Sequence, residues 1–154
     1  MNYTYPEALK KYLSTLTNNK EWVLATSYKN QVTARMVSTV CIDDKLFFQT
    51  DKKFQKYIQI INNPNVAMCI GNCTIEGIAS DKGHPLNIIN EIFVKQYKTQ
   101  HSSSFQKYSK KKDEVVIEIN PKKVKYWEYD TDGKPWQIEI DLEKQKVECN
   151  EYNI

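Results

Sequence analysis

The order of strand-forming and helix-forming stretches predicts a mainly β fold, an antiparallel β-barrel of about six to seven strands with flanking helices. Three runs rich in strand formers follow one another with only short polar turns between them, at 22–28, 31–42 and 45–50. A single helical stretch then precedes two further strand runs, at 65–70 and 74–80. Strands and helices therefore do not alternate as they do in a parallel α/β sheet.

Two helical stretches flank these strands. Residues 5–16 carry apolar side chains at helical spacing. Thr4 before Pro6 and Glu7 is typical of a capped helix start, and we expect this helix to pack one face on the barrel. The second helix ends at the Asn-Asn-Pro of 62–64. Its spacing predicts one apolar face made of Phe54, Tyr57, Ile58 and Ile61.

The second half of the chain is predicted to add one helix and three strands. Residues 86–97 return to a helical period, with Leu86, Ile89, Phe93 and Tyr97 on the side that caps the barrel, and the polar stretch 101–112 is predicted to be an exposed, partly helical connection. Strands are predicted at 115–119, 124–129 and 136–142, with turns at Asn120 and Pro121 and at Asp132 and Gly133. No repeat or linker divides the chain, so residues 1–154 are predicted to form a single domain.

Composition excludes several classes of protein. A chain of 154 residues with 40% hydrophobic residues can build one ordinary core, and a formal net charge of +3 does not indicate a nucleic-acid-binding protein. The basic run 107–112 is predicted to be a solvated loop or helix end, the alternative being a polyanion site. No secretory signal and no apolar run of about 20 residues is present, so we expect a soluble cytoplasmic protein without a membrane span.

The cysteines and histidines do not predict a metal site. The four cysteines contain no CxxC pair and are Cys41, Cys69, Cys73 and Cys149. His84 and His101 are not spaced to complete a site with them. We therefore expect reduced, partly buried thiols and no metal.

Arg35, on the predicted second strand, is the only arginine of the chain. Its planar guanidinium can hold two phosphate oxygens at once, which a lysine cannot do. Taken alone, a strand arginine is more often paired with a surface carboxylate. Here, however, Thr50 ends the third strand where a helix start brings N–H groups, Lys53 and Lys56 together, which favours an anion site. If the two strands are hairpin neighbours, Arg35 and Thr50 could reach one phosphate.

The sequence resembles the pyridoxamine 5'-phosphate oxidase-like flavin proteins in five segments that occur in the same order. These are ARMVS at 34–38, LFFQT at 46–50, KFQK at 53–56, NNPNVAMCI at 62–70 and TIEGIA at 74–79. The likeness covers residues 22–79 and continues more weakly through VVIEINPKKVKYWEY at 115–129. The resemblance implies a split β-barrel that binds FMN at the interface of a homodimer.

The same resemblance implies a phosphate site. Arg35 and Lys56 would bind the FMN phosphate, and Thr50 would supply a hydroxyl. Gln55 stands where many members of the family have an arginine or another polar residue. Lys53 would assist by its charge alone.

A second group of residues is implied to contact the flavin itself. Met36 and Val37 would line the ring and hydrogen-bond its edge, chiefly through main-chain groups. Gln49 would lie near the ring or the ribityl chain, and Asn72 would contact the cofactor from the other subunit.

Two departures limit what the resemblance implies. True pyridoxamine phosphate oxidases hold their substrate with an arginine and a histidine near the C-terminus, and this chain has no arginine after Arg35. Val40 stands where those enzymes tend to have a further basic flavin ligand. The resemblance therefore implies a cofactor site without the vitamin B6 oxidase activity.

Three functions remain open at the level of sequence. The first is an FMN-dependent oxidoreductase with a nicotinamide electron donor, for which no catalytic side chain is identified because no nucleophile, base and orienting group stand in motif spacing. The second is a flavin carrier or sensor without turnover. The third is a heme-binding barrel with His84 or His101 as axial ligand.

Overall fold

The computed structural model describes residues 1–153, which form nine strands in one sheet, four α-helices and one 3₁₀ turn. The helices are α1 (Tyr5–Asn18), α2 (Gln55–Asn62), α3 (Glu91–Gln100) and α4 (Ser102–Tyr108), with the 3₁₀ turn at Ile88–Asn90. The strands are β1 (Glu21–Tyr28), β2 (Gln31–Ser38), β3 (Val40–Ile42), β4 (Lys45–Asp51), β5 (Asn65–Ile70), β6 (Cys73–Asp81), β7 (Glu114–Tyr129), β8 (Pro135–Asp141) and β9 (Lys146–Glu151). The mainly β prediction with flanking helices is confirmed, although the strand count exceeds the predicted six to seven.

The sheet is antiparallel throughout, and the long strand β7 holds its two parts together. The strand order is β2-β1-β5-β6-β7-β4-β3, and β8 and β9 extend the sheet from β7. One edge of β7 pairs with β6, while the other pairs with β4 over Glu114–Ile119 and with β8 over Lys123–Tyr129. The sheet therefore branches at this edge of β7, with β4 and β3 forming one arm and β8 and β9 forming the other.

The helix α1 packs on the core as expected. The Thr4 hydroxyl accepts a hydrogen bond from the Glu7 N–H, which caps the helix start. Ala8, Tyr12 and Leu16 are buried in the main hydrophobic cluster. The predicted helix and its apolar stripe are therefore confirmed.

The predicted second strand is broken at Thr39, whose N–H donates to the Lys20 carbonyl at 2.8 Å. The part before the break, β2, pairs with β1, and the part after it, β3, pairs with β4. The predicted three-strand meander is therefore wrong, and so is the idea that the strands of Arg35 and Thr50 are hairpin neighbours. Thr39 alone separates β2 from β3, although these two strands lie at opposite ends of the strand order.

The predicted turn at Asn120 and Pro121 is also wrong, because β7 runs through both residues. The ladder absorbs the proline by a register shift between Glu76 and Gly77 on β6. A Cβ on Gly77 would lie 2.8 Å from the Asn120 carbonyl oxygen, so the glycine permits the close approach of the two strands. The strand β9 was not predicted, since its sequence is polar and four of its six residues are exposed.

The α-helix predicted at 86–97 begins later, at Glu91, and its buried residues are Phe93 and Tyr97. Phe93 and Tyr97 are buried in a small second cluster with Val40 and Val116. The residues expected to share that apolar side, Leu86 and Ile89, are exposed instead. Within residues 1–153, no helix is long and apolar enough to cross a membrane.

Candidate functional site

An open pocket of about 250 Å³ lies where β2, β4, the start of α2, α3 and α4 meet. Five of the nine predicted site residues line it, namely Met36, Val37, Gln49, Thr50 and Lys56. Four lining residues come from α3, α4 and β7 and were not singled out by the sequence; they are Tyr97, Ser104, Tyr108 and Glu114. The two strands that carry Arg35 and Thr50 thus meet at one pocket although they share no hydrogen-bond ladder. Arg35 does not line the cavity itself but lies beside its lining residue Lys56, and we call the cavity the Arg35 pocket.

The guanidinium of Arg35 is held by the strands β1 and β2. Its Nη1 donates to the Thr26 hydroxyl at 2.8 Å and to the Leu24 carbonyl at 3.2 Å, and its Nη2 donates to the Thr33 hydroxyl. Across residues 1–153, no carboxylate lies within ion-pair distance of Arg35, so the surface salt bridge considered as the alternative does not form. The guanidinium has five N–H donors, and these contacts leave its Nε edge available to a ligand.

Lys56 lies next to Arg35 at the start of α2. Burial lowers the pKa of Lys56, and the positive charge of Arg35 lowers it further, while Glu114 acts in the opposite direction. Phe54 caps the helix without a side-chain hydrogen bond, so the first N–H groups of α2 stay available to an anion. Two cations and a helix start therefore converge on one edge of the pocket.

Two polar atoms of the pocket are buried without partners. Among the described residues, the hydroxyl of Thr50 and the amide nitrogen of Gln49 have no hydrogen-bond partner. The Gln49 oxygen, in contrast, accepts from the Ser109 hydroxyl at 2.8 Å. Leaving a buried polar atom unpaired costs about 1–3 kcal/mol, so both atoms suit a ligand that would pair with them.

Glu114 is the pocket residue with the most perturbed ionisation. Burial, followed by the negative charge of Asp51, raises the pKa of Glu114 from 4.5 to about 7, against the opposing effects of Lys111, Lys56 and the nearby Gln49 amide. The sequence could not signal this residue, because the pocket around it is lined by side chains from distant segments, including Tyr97 of α3 and Tyr108 of α4.

The polar stretch 101–112 does reach the pocket. It forms α4, and the side chains of Ser104 and Tyr108 line the cavity. The prediction of an exposed, partly helical connection is confirmed for most of its residues. What the sequence did not indicate is that this connection supplies one wall of the site.

Four predicted site residues do not line the pocket; Arg35 lies beside it, next to Lys56, while Lys53, Gln55 and Asn72 lie elsewhere. Lys53 is exposed and forms an ion pair with Asp113 at 3.1 Å, and Gln55 is exposed on α2. Asn72 borders a different cavity beside α1, and its amide nitrogen donates to the Trp127 carbonyl at 2.8 Å. The single chain therefore does not bring Asn72 to the Arg35 pocket.

Both histidines are engaged in the fold. The Nε2 of His84 bonds the Lys111 carbonyl at 2.8 Å, and its Nδ1 accepts from the Leu86 N–H. The Nε2 of His101 bonds the Thr39 carbonyl at 2.9 Å. Within residues 1–153, no three His, Cys, Asp or Glu side chains are grouped so that they could hold a metal ion, and the four cysteines are free thiols.

No protein-family model and no curated protein sequence matches the chain. The structure is similar to General Stress Protein 26 from Bacillus anthracis, with 21% identity, coverage of 77% of this chain and 92% of that chain, and a TM-score of 0.62. A pyridoxamine 5'-phosphate oxidase-related, FMN-binding protein from Nostoc punctiforme is 14% identical over 100% of both chains, with a TM-score of 0.63.

Heme proteins also share the fold. The heme storage protein from Vibrio cholerae is 13% identical, with coverage of 78% of this chain and 92% of that chain and a TM-score of 0.62.

Taken together, these similarities show that the chain has the split β-barrel fold of the pyridoxamine 5'-phosphate oxidase-like proteins, as the resemblance in sequence implied. At these identities the likeness extends to the fold alone.

Proposed function

We propose that this split-barrel protein binds FMN in the Arg35 pocket and acts as an FMN-dependent oxidoreductase. The observation that carries the proposal is the guanidinium of Arg35, which is fixed by two threonine hydroxyls, free of any carboxylate within the described residues, and adjacent to Lys56. A desolvated cationic pair of this kind favours a dianionic phosphate.

The polar atoms of the pocket fit the rest of the cofactor. The unpaired Gln49 amide and Thr50 hydroxyl provide donors for carbonyl, ring-nitrogen or ribityl oxygen atoms. Within residues 1–153, β2 is an edge strand that pairs with β1 alone. Half of its main-chain groups are therefore available to hydrogen-bond a ring edge beside Met36 and Val37.

The pocket also favours a homodimer. Cofactor sites usually enclose about 300–1,000 Å³, whereas this pocket holds about 250 Å³ and is open to solvent. At its rim Phe54 and Met36 are exposed, and the stripe continues along α2 through Ile58 and Ile61. A second copy of the chain on this apolar stripe would supply the missing wall, and Asn72 would then act from that copy.

The chain's own contribution to catalysis is to bind and to orient. FMN, when bound, supplies hydride and one-electron chemistry. Arg35 and Lys56 hold the anionic end, Gln49 and Thr50 fix the polar groups, and Tyr97 and Tyr108 limit the access of water from the α3–α4 side. A nicotinamide is the electron donor we expect.

The oxidoreductase and the non-catalytic alternatives make different predictions in solution. We expect the purified protein to show flavin absorption bands, and a Soret band in their place would favour the heme function found in proteins of the same fold. Reduced anaerobically by NADH or NADPH, the protein should pass electrons to an added acceptor faster than free FMN does. A bound flavin with no such excess would indicate a carrier or a sensor.

The Arg35→Met variant tests the proposed phosphate contact. Because a charge-assisted hydrogen bond is worth about 1.5–3 kcal/mol, we expect FMN affinity to fall about 10- to 100-fold. Riboflavin lacks the phosphate, so its weaker binding should not change. Lys53→Met, which removes an exposed cation outside the pocket, is the control, and equal FMN retention in both variants would refute the phosphate site.

A further inference from the structure

We propose that Gln59 is a positioning residue that aims Arg35 at the pocket. Gln59 lies on α2, one turn beyond Lys56, and its polar side chain is only 4% exposed. Gln59 and Ile60 are the two buried residues of α2, and a buried glutamine requires an explanation by its contacts. Its hydrogen bonds connect it to Arg35 through the hydroxyls of Thr26 and Thr33.

The amide of Gln59 can be oriented unambiguously. Its Nε2 lies 3.2 Å from the Gln31 carbonyl, which can only accept, so the nitrogen must face β2 at that point. Its Oε1 then faces the hydroxyls of Thr26 and Thr33, at 2.5 Å and 2.6 Å. One glutamine oxygen therefore accepts a hydrogen bond from each of two threonines on neighbouring strands.

The two hydroxyls pass this orientation on to the guanidinium. Because each threonine gives its single proton to Gln59, its lone pairs are left to accept from Arg35. Nη1 donates to Thr26 and Nη2 donates to Thr33, so the end of the guanidinium is held by two acceptors at once. The chain of donors runs in one direction, from Arg35 through the threonines to Gln59.

Without the glutamine oxygen this chain has no final acceptor. The hydroxyls would then turn their protons to other acceptors, including the main chain, and would cease to define the position of the guanidinium. Gln59 also ties Arg35 to α2, which carries Lys56, so that a single residue couples the two cations of the site. The role of Gln59 is to position Arg35, not to contact the ligand.

The affinity test rests on the proposed FMN site. In Gln59→Leu we expect FMN affinity to fall about tenfold, equivalent to about 1.4 kcal/mol, with riboflavin affinity unchanged. In an Arg35→Met background the same substitution should change FMN affinity less than twofold. An equal loss for FMN and riboflavin, or full loss in both backgrounds, would show that Gln59 only supports the fold.

The matched control is Ser27→Ala. Ser27 lies beside Thr26 on β1 and accepts from Asn63, the residue after α2, at 3.1 Å. Its removal deletes another hydrogen bond between β1 and the α2 region without touching Arg35. We expect FMN affinity to stay within twofold of the wild type, and a loss as large as that of Gln59→Leu would overturn the specific role of Gln59.

A second readout needs no flavin. Since Arg35 is the only arginine, a ¹⁵N-labelled protein gives a single set of guanidinium signals. We expect distinct Nη signals in the ligand-free wild type that merge by faster rotation in Gln59→Leu, or in Thr33→Val if the first variant does not fold. Unchanged signals would refute the proposal, whereas a merged set in a protein that binds no FMN would refute the FMN site and leave the positioning role intact.

Discussion

The helices α1 and α2 are both amphipathic by sequence, but they use their apolar residues in opposite ways. α1 buries Ala8, Tyr12 and Leu16 in the core and exposes its polar side. α2 leaves Phe54, Ile58 and Ile61 about half exposed, at 55%, 49% and 54%, and buries Ile60 together with the polar Gln59. The hydrophobic effect alone explains the placement of α1, whereas α2 is held by polar contacts as well as by Ile60.

The difference shows that polar contacts contribute to the placement of α2. Ile60 packs in the main cluster and Gln59 anchors the helix to β1 and β2, while Phe54 and Lys56 line the pocket. A helix that gives up apolar burial in the single chain has apolar surface left for a partner. We infer that α1 serves stability and that α2 serves the site.

The largest effect expected is on α1. Leu16→Ala leaves a cavity in the main cluster, where the side chain is almost fully buried, so the free energy of unfolding should fall by about 2–5 kcal/mol. Ile61→Ala on α2 is the matched control and should cost about 1 kcal/mol or less, because half of that side chain is already exposed. Urea denaturation at a low protein concentration measures both, and equal losses would remove the contrast between the helices.

A smaller effect is expected from Glu114, on the pocket side of the molecule. With its pKa raised to about 7 from 4.5, the folded protein binds a proton there that the unfolded chain has released, so the free energy of unfolding should fall as pH rises from about 4.5 to 7. In Glu114→Gln this fall should be absent, with a gain of about 1–2 kcal/mol above pH 7. Burial and Asp51 oppose the ionisation of Glu114, while Lys56 and Lys111 favour it. If Glu114→Gln keeps the wild-type pH profile, these effects cancel and the predicted pH dependence of Glu114 is wrong.

Thr50→Val should also stabilise the ligand-free protein, by about 1 kcal/mol, because it removes a buried hydroxyl that has no partner within the described residues. FMN should then bind more weakly. Thr39 is the control, since its buried hydroxyl also has no hydrogen-bond partner within the described residues but does not line the pocket. Thr39→Val should raise thermal stability without loss of FMN affinity, and an identical affinity for both variants would exclude Thr50 from the site.

The smallest effect on the stability of the single chain is expected for the double variant Ile58→Ser and Ile61→Ser. Both side chains are half exposed, so the free energy of unfolding of the monomer should change by about 0.5 kcal/mol per site. Light scattering should nevertheless show loss of the dimer that we propose. A dimer of unchanged stability would place the interface elsewhere and leave the apolar stripe unexplained.

Local sequence was a good guide where structure depends on neighbouring residues. The polar turn at Lys29 and Asn30 was predicted, and both residues have positive φ, as a tight hairpin requires. β5 was predicted with its bounds, because a proline precedes it and a glycine turn follows it. The proximity of Arg35 and Lys56 was also anticipated, whereas their role as an anion site stays a prediction.

Where the sequence failed, distant segments decided the outcome. Asn120 and Pro121 read as a turn, but the strand continues because Gly77 on the neighbouring strand leaves room for the irregularity. Glu114 shares the pocket with side chains of α3, α4 and the distant strands β2 and β4. No local pattern records which helix will cover a strand end.

By itself, then, the sequence determined the mainly β fold, the capped helix α1 and the pair of cations suited to a phosphate, because periodicity, turn chemistry and side-chain charge are local properties. Only the tertiary structure decided that β2 and β4 meet at a pocket without pairing, that α2 exposes its apolar stripe, and that Gln59 holds Arg35 through Thr26 and Thr33. These features depend on contacts between segments far apart in the chain, and the free energy that selects them is the burial and hydrogen bonding of the whole fold.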